Sequence, residues 1–578
     1  MTVHKLNAGD GYVYLTKHVA KGDATESRKP DAVEYYLAKG TPPGIWCGKL
    51  AEKVGVEIGT EVTESAMRSV FGAARTPDAF DTRPNADAPL GERLEWSRRT
   101  ALGRAFSWFQ KSQEYVNDVE ELCSAYKAQH GDYPDTQTKR DIQFSTARKH
   151  LHRVNGERAA LLSDDDIWQF ITEQYGKTRT SVAGYDLVFT PAKSISLLWG
   201  LGDQRIKAAV EQAHAQAVSE TLEWIENEVI YTRRGAGGAR KIKTEGLLVA
   251  RFDHYDNRAA DPNLHTHCAV LNRVFAESKW TTIDGTILYK ANVAGSEKYN
   301  TRVADLVARQ LGVTFVPRPD TPVGKLPVHE VDGIPLTLIE EFSRRSAIEA
   351  RQEELAREYK AKYGKNPPKK VQYAHAQQAT LDTRNAKNPP RSLSELRAEW
   401  RERAEAILAG GDPGELVDAV QDERDRRPDL SPDQVPAVVE KTVDTLSRKV
   451  GTWTVFSLSA ELDRQLREFS FAHDDELRAM YDNALELALR DYCLPTFTEE
   501  HRGPERITER IERGLVRSHL VDRAEMRYTA QSVLDAEDFV RRQAETGDER
   551  TVSDFVIRRQ IRRARRKPAT ASAATRSP

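Results

Sequence analysis

The 578-residue chain has only four cysteines, Cys47, Cys123, Cys268 and Cys493, and none falls into CxxC spacing. That excludes a disulfide framework and a structural zinc knuckle, and it points to a reducing compartment. No run approaches the ~18 apolar residues a membrane span needs, so none is expected. The opening MTVHKLNAGDGYVYL has no long apolar stretch and does not read as a secretory signal, so a cytoplasmic, bacterial setting is expected. Excess charge is lacking too. The 86 Lys and Arg against 88 Asp and Glu leave a formal charge of −2, so bulk electrostatics do not announce nucleic acid. A phosphate-binding loop is also missing. The one GK[ST] triplet, Gly176-Lys177-Thr178, has Ile171 where such a loop requires glycine, and it reads as a helix end. No ATPase motor is therefore expected, and no internal repeat is visible.

What the chain does have is 39% hydrophobic and 30% charged residues, the balance of a helix-rich globular protein. Its length calls for two or three domains. Residues 1–320 read as an α+β domain with a helical insertion at about 85–180, where Glu92–Ala125 and Gln137–His152 suit helices. GYDLVFTPAKSISLLW is apolar and β-branched enough for buried strands. Arg205–Val229 repeats Ile206, Val210, Ala213, Ala217, Leu222 and Ile225 at helical spacing. Thr244–His254 and Leu264–Phe275 suit two strands joined by a turn-rich loop with Asn257, Asp261 and Pro262. Residues 321–414 read as charged helices (338–362 and 392–410) around a Lys/Pro/Asn-rich linker at 363–391. Residues 415–548 read as α-helical, and 549–578 as a basic, low-complexity, disordered tail.

The most informative segment is RFDHYDNRAADPNLHTHCAVLNRV. Residues i and i+2 of a strand share a face, so His265 and His267 project side by side. His254 ends the preceding strand and reaches the pair if the two strands are neighbours. Three neutral imidazoles on one face form a site for a divalent metal with open coordination positions, suited to Lewis-acid work on a phosphate oxygen. A lone HxH is more often satisfied by local hydrogen bonds. Here the pair lies in an otherwise apolar strand, where two adjacent imidazoles are costly unless used.

This pattern, H-x(10)-H-x-H with DPNLHTH leading an apolar strand, resembles the three-histidine motif of MobF-class (TrwC-type) conjugative relaxases, a branch of the HUH endonucleases. GYDLVFTPAKSISLL, TEGLLVARFDHYDN and EYYLAKGTPPGIWCGKLAEKVGV resemble further motifs of that class in the same order, and together they cover about residues 1–350. The resemblance implies an antiparallel sheet flanked by helices. It also implies His254, His265 and His267 as ligands of Mg²⁺ or Mn²⁺, and Asp186 as the acid that orients a ligand histidine or takes a tyrosine proton. The nucleophile is expected among Tyr12 and Tyr14, with a second pair, Tyr35 and Tyr36, for a later strand transfer. The first pair is adjacent in the family but split by Val13 here. That leaves the nucleophile open, with Tyr12 favoured over Tyr14.

The implied activity is nicking and joining of one DNA strand at a transfer origin through a 5′-phosphotyrosine. The substrate would be single-stranded or supercoiled plasmid DNA, with accessory transfer proteins and a coupling protein as partners. Lys193, Arg233, Arg234, Arg240 and Lys241 are candidate phosphate contacts, although solvated basic residues are the plain alternative. Trp46, Trp199 and Trp280 are stacking candidates for which core packing is expected. A rolling-circle initiator or HUH transposase is the rival within the same chemistry, and a non-catalytic DNA-binding protein the rival outside it.

Overall fold

In the computed structural model, the described residues are 1–16, 42–106, 108–109, 114–131, 133–155, 163–176, 179–235, 238, 240–257, 259–322, 324–383, 391–421, 427–496 and 526–546. Tyr35, Tyr36 and the basic tail lie outside them. Five strands form the central sheet: β1 (Thr2–Asn7), β2 (Ile45–Cys47), β3 (Val182–Phe189), β4 (Val249–Asp256) and β5 (Pro262–Leu271). Their order is β1-β3-β5-β4-β2, and every pairing is antiparallel.

Strand alternation gives the sheet two different faces. On one face Tyr185, Leu187, Phe189, Val249, Cys268 and Val270 are buried against the helices α6 (Gln204–Trp224) and α7 (Gly285–Leu311). Each large apolar side chain buried there contributes about 1.5–3 kcal/mol relative to exposure. The other face carries Ala250, Phe252, Ala269 and Leu271, and it packs against Leu6, Tyr12, Leu15, Trp46 and Phe71 from the first 75 residues. This covering lies close to the sheet. A Cβ on Gly44, just ahead of β2, would stand 2.4 Å from the Phe252 ring, so only glycine fits there.

Three helices interrupt the path from β2 to β3: α2 (Glu114–His130), α3 (Thr136–Asn155) and α4 (Asp164–Gly176), preceded by α1 (Leu90–Thr100). A separate small core of Tyr115, Val119, Cys123, Ala147, Ile167 and Ile171 holds the three together. A two-stranded stem pairs Trp108–Phe109 with Arg179–Thr180 at their base. After β3 come α5 (Lys193–Leu201), α6 and α7. These are followed by α8 (Arg345–Tyr363), α9 (Lys369–Asp382), α10 (Leu393–Ile407), α11 (Val435–Lys449), α12 (Val455–Leu466) and α13 (Asp474–Leu487). The core beneath the helix-covered face runs on without a break into Trp400, Leu446, Leu458 and Tyr481. Helix α12 lies along α7, where Arg464 and Arg467 both pair with Glu297, at 3.1 and 2.6 Å.

Three local expectations are corrected. The run PAKSISLLW is not strand: β3 ends at Phe189, and Lys193–Leu201 is helical. Pro191 has no N–H for a sheet ladder. The segment after it is buried all round, so hydrophobic period cannot separate helix from strand. The continuous helix expected over Glu92–Ala125 is two helices, because the chain extends at Ala101 and Gly103 takes φ +81°. The linker expected at 363–391 contains α9. Pro368 there adopts the extended geometry of a cap, and alanine and long unbranched side chains follow it.

Candidate metal and nucleophile site

The hairpin β4–β5 builds the imidazole cluster. His254 and His265 are directly opposed in the ladder, and His267 is two residues further along the same face of β5. Ring centroids are 5.2 Å apart for His254–His265, 4.9 Å for His254–His267 and 5.1 Å for His265–His267. One donor atom from each lies within 4.8 Å of the other two, so the three gather around a common point. The connecting turn is held from two sides. The Asn257 side chain bonds the Ala259 and Asp261 amides, at 2.7 and 3.2 Å, while Ala260 takes φ +61°. From α10, Trp400 donates to the Ala260 carbonyl at 2.6 Å, and Arg403 pairs with Asp261 at 3.0 Å.

The donor set fits a divalent cation. His265 Nδ1 lies 2.7 Å from the Asn263 carbonyl oxygen, and His267 Nδ1 lies 2.8 Å from Asp186 Oδ2. The Asp186 oxygen is an acceptor, so Nδ1 carries the proton in His267. His265 Nδ1 faces the Asn263 carbonyl and, at 3.1 Å, the Asn263 side-chain amide. In both rings Nδ1 is the nitrogen the protein occupies, leaving Nε2 for a ligand. That is the usual arrangement around a metal-bound histidine. Burial, then the neighbouring His267, lowers the His265 pKa to about 4, so that ring is neutral near pH 7.

Asp186 comes from β3. Its neighbour across the ladder is Ala269, two residues from His267 on the same face, and its other flank is His4 of β1. The carboxylate is 2% exposed, and its Oδ1 has no hydrogen-bond partner among the described residues. Its Oδ2 accepts from His267 and from the Tyr14 hydroxyl. The Tyr14 ring stands edge-on to His267 at 5.9 Å. Burial first, then the Asp186 charge and hydrogen bond, push the Tyr14 phenol well above its ordinary range.

The two early tyrosines part company here. β1 ends in a turn in which Gly9 takes φ +87°, and residues 10–16 then form short helical turns over the sheet. Positions two apart on a helical turn point away from each other. Tyr12 is therefore buried in the core beside the sheet, 4% exposed, while Tyr14 is 39% exposed and reaches Asp186. The order of preference drawn from the sequence is the reverse of what this packing favours.

The candidate phosphate contacts do not converge on the cluster. Lys193 donates to the Pro262 carbonyl at 2.7 Å, and burial lowers its ammonium to about 8. Arg233 clasps Asp284 with two bonds of 2.7 and 2.6 Å, Lys241 lies 3.6 Å from the same carboxylate, and Arg240 pairs with Glu277. Arg234 donates to the Ala276 carbonyl at 3.1 Å. The basic segment is thus a hairpin, Tyr231–Arg234 with Arg240–Lys243, stitched to its neighbours. Trp46 and Trp199 are fully buried, and Trp280 packs partly buried beside the sheet core.

Sequence reasoning missed the polar network behind the cluster. Thr266 lies between the two histidines and points to the opposite face. There its hydroxyl meets His214 Nε2 at 2.7 Å and donates to Asp253 at 2.5 Å. His214 Nδ1 meets the Tyr299 hydroxyl at 2.7 Å, and Arg251 pairs with Asp253 at 3.2 Å. The available signals were a histidine inside the apolar stripe of α6 and an aspartate preceding His254.

The antiparallel sheet thus gathers three imidazoles, a buried carboxylate and a tyrosine on one face. The family model described as TrwC relaxase matches residues 8–407, and the chain belongs to that family. Among curated relatives, the multifunctional conjugation protein TraI of Escherichia coli is 31% identical over 168 residues, 28% of this chain and 9% of that protein. The same-named protein of strain K12 is 31% identical over 173 residues, again covering 28% and 9%. The chain thus spans about a tenth of the curated relatives' length. Solved structures that it resembles include the conjugative relaxase TrwC in complex with oriT DNA, in a copper-bound form. That match has a TM-score of 0.40 and 20% identity, and it covers 72% of this chain and 99% of that one. Another is TrwC complexed with a 27-mer DNA comprising the recognition hairpin and the cleavage site, with a TM-score of 0.32 and 24% identity, covering 54% and 99%. Among the described residues no helix is long and apolar enough to cross a membrane.

Proposed function

We propose that this chain nicks and rejoins one DNA strand at a conjugative transfer origin, with Tyr14 as the first nucleophile. The observation that carries the reading is the shared carboxylate: Asp186 Oδ2 accepts from both the Tyr14 hydroxyl and His267 Nδ1. The Tyr14 oxygen attacks the scissile phosphorus, its proton passes to Asp186, the bond from phosphorus to the 3′ oxygen breaks, and the departing 3′ oxygen takes up a proton from solvent. The products are a 5′-phosphotyrosine and a free 3′-OH. The new bond is close in energy to the one lost, so the step runs backward to seal DNA. Burial beside a negative carboxylate holds the phenol protonated at rest, so its activation waits for positive charge to gather in the site. Asp186 also fixes the His267 ring. His254, His265 and His267 would hold the ion, Mg²⁺ or Mn²⁺ in this reading, which supplies Lewis-acid polarisation of a phosphate oxygen.

Tyr35 and Tyr36 are proposed for the second strand transfer. The setting is the bacterial cytoplasm, with plasmid DNA as substrate and accessory and coupling proteins as partners. The test is a supercoiled plasmid carrying the element's own transfer origin, incubated with and without Mg²⁺ or Mn²⁺. Covalent protein–DNA adduct is read on denaturing gels. Ion-dependent nicking and an adduct lost in Tyr14→Phe but kept in Tyr12→Phe are expected. An adduct that survives Tyr14→Phe and vanishes in Tyr12→Phe overturns the assignment.

A further inference from the structure

The three-helix insertion carries a feature that the catalytic site does not use. Along α3, residues 137, 140, 141, 144, 145, 148, 149 and 152 follow helical spacing, and all line one surface groove of about 810 Å³ together with Trp168 of α4. The opposite side of α3 is spent on the bundle core: Ala147 is buried, and His150 bonds Asp118 of α2 at 2.7 Å. Phe144 and Trp168 give part of their surface to that core, while the cations of the groove face, Arg140, Arg148 and Lys149, stay exposed.

Its chemistry is cations layered on aromatic rings. The Phe144 and Trp168 centroids are 5.6 Å apart with a 48° interplanar angle. The Arg148 guanidinium lies 5.6 Å from the Phe144 centroid, and that of Arg140 lies 5.7 Å from Trp168. Arg140, Arg148 and Lys149 are all exposed. Asp141 and Asp164, the latter 3.9 Å from Arg148, offset only part of that charge.

Arg140 and Arg148 are about two turns apart, roughly 12 Å along the helix axis. The positive charge is therefore a line rather than a single pocket, which suits a repeating polyanion over an isolated phosphate. Half-buried rings between the cations suit unstacked bases, whose π-faces they can meet irrespective of sequence. The stem strand Arg179–Thr180 leads directly into β3, so the groove belongs to a body rooted on a strand of the central sheet.

We propose that this groove is a second DNA-contact surface, which holds single-stranded DNA flanking the cleaved position through Arg140, Arg148, Lys149, Phe144 and Trp168. The proposal builds on the reading of the chain as a DNA-processing enzyme, but its measurement involves no cleavage. Fluorescence anisotropy of the full chain with a fluorescein-labelled 40-nucleotide oligo-dT, and with a 40-base-pair duplex, is followed from 50 to 200 mM salt. In Arg140→Glu/Arg148→Glu/Lys149→Glu the single-strand Kd should rise at least tenfold. The log–log salt slope should shrink by about two, since each single-strand phosphate contact contributes about 0.7. Unchanged Kd and slope overturn the proposal, and so does a loss confined to duplex.

Photocrosslinking of the unaltered chain to an oligonucleotide bearing 5-iodouracil gives a readout free of any folding defect in the variant. Adducts on the α3 or α4 peptides support the groove, and adducts elsewhere only overturn it. If Tyr14→Phe still forms adduct, the catalytic reading fails while the groove result stands.

Discussion

The two faces of the hairpin β4–β5 use the same residue types to opposite ends. On the helix-covered face, His214 spends both ring nitrogens on protein partners, Thr266 and Tyr299, and is 2% exposed. On the other face, His265 and His267 spend only Nδ1, on a carbonyl and a carboxylate, and keep Nε2 for a ligand. Thr266 lies between those two histidines in sequence and belongs to the first group, because a strand's pleat sends it the other way. Burial alone does not separate a structural histidine from a ligand. What separates them is how many ring nitrogens the protein itself occupies.

The strongest way to break this contrast is at the open face. Tyr14→Phe should lower the rate of covalent adduct formation by about 10³-fold or more, because in the proposed reading it removes the oxygen that attacks phosphorus. Tyr12→Phe should leave it within a few-fold. Asp186→Asn should weaken Mn²⁺ binding, measured by calorimetry, by about 10–100-fold through loss of the His267 anchor. Chelation by EDTA should abolish nicking, and titration with Mg²⁺, Mn²⁺, Ni²⁺ and Zn²⁺ should rank the ions. A ranking in which Mg²⁺ and Mn²⁺ fail, and only ions that favour nitrogen ligands work, would revise the ion and leave the site intact.

The closed face should answer in stability rather than activity. Thr266→Val leaves His214 and Asp253 without their shared partner, and should cost about 1–3 kcal/mol in denaturant unfolding. Metal affinity should change little. A tenfold change in Mn²⁺ binding would show that the two faces are not independent.

An effect of similar size is expected in the pH dependence of stability. Burial lowers the His214 pKa to about 3, against an ordinary 6.5. The unfolded chain then binds a proton that the folded chain refuses, so this contribution is fully present above pH 6.5 and is lost as pH falls toward 3. At pH 5 the loss is about 2 kcal/mol. His214→Gln should flatten that part of the profile by comparison, as read from urea midpoints between pH 7 and 5.

Several of these features were readable from the chain alone. The H-x(10)-H-x-H spacing with a turn between the strands contains the cluster, because strand period and a short connection leave little freedom of register. The mixed α+β character and the helical remainder follow from periodicity. The α5 segment did not, since a run buried on all sides carries no period to read. The polar network on the far face was equally hidden: Thr266, His214 and Tyr299 are far apart in sequence and have no shared motif.

From sequence alone come the three histidines and their common strand face, since these depend on local geometry that repeats every two residues, and the family resemblance, which rests on separated motifs. Which tyrosine meets Asp186 was decided by tertiary packing. Tyr12 and Tyr14 are chemically alike and two residues apart, and only the apolar surface under Phe252 and Trp46 determines which phenol is drawn into the core. The same holds for the basic hairpin at 231–243. Its charges looked available in one dimension, and Asp284 and Glu277, brought in by later segments, occupy three of its four candidate cations.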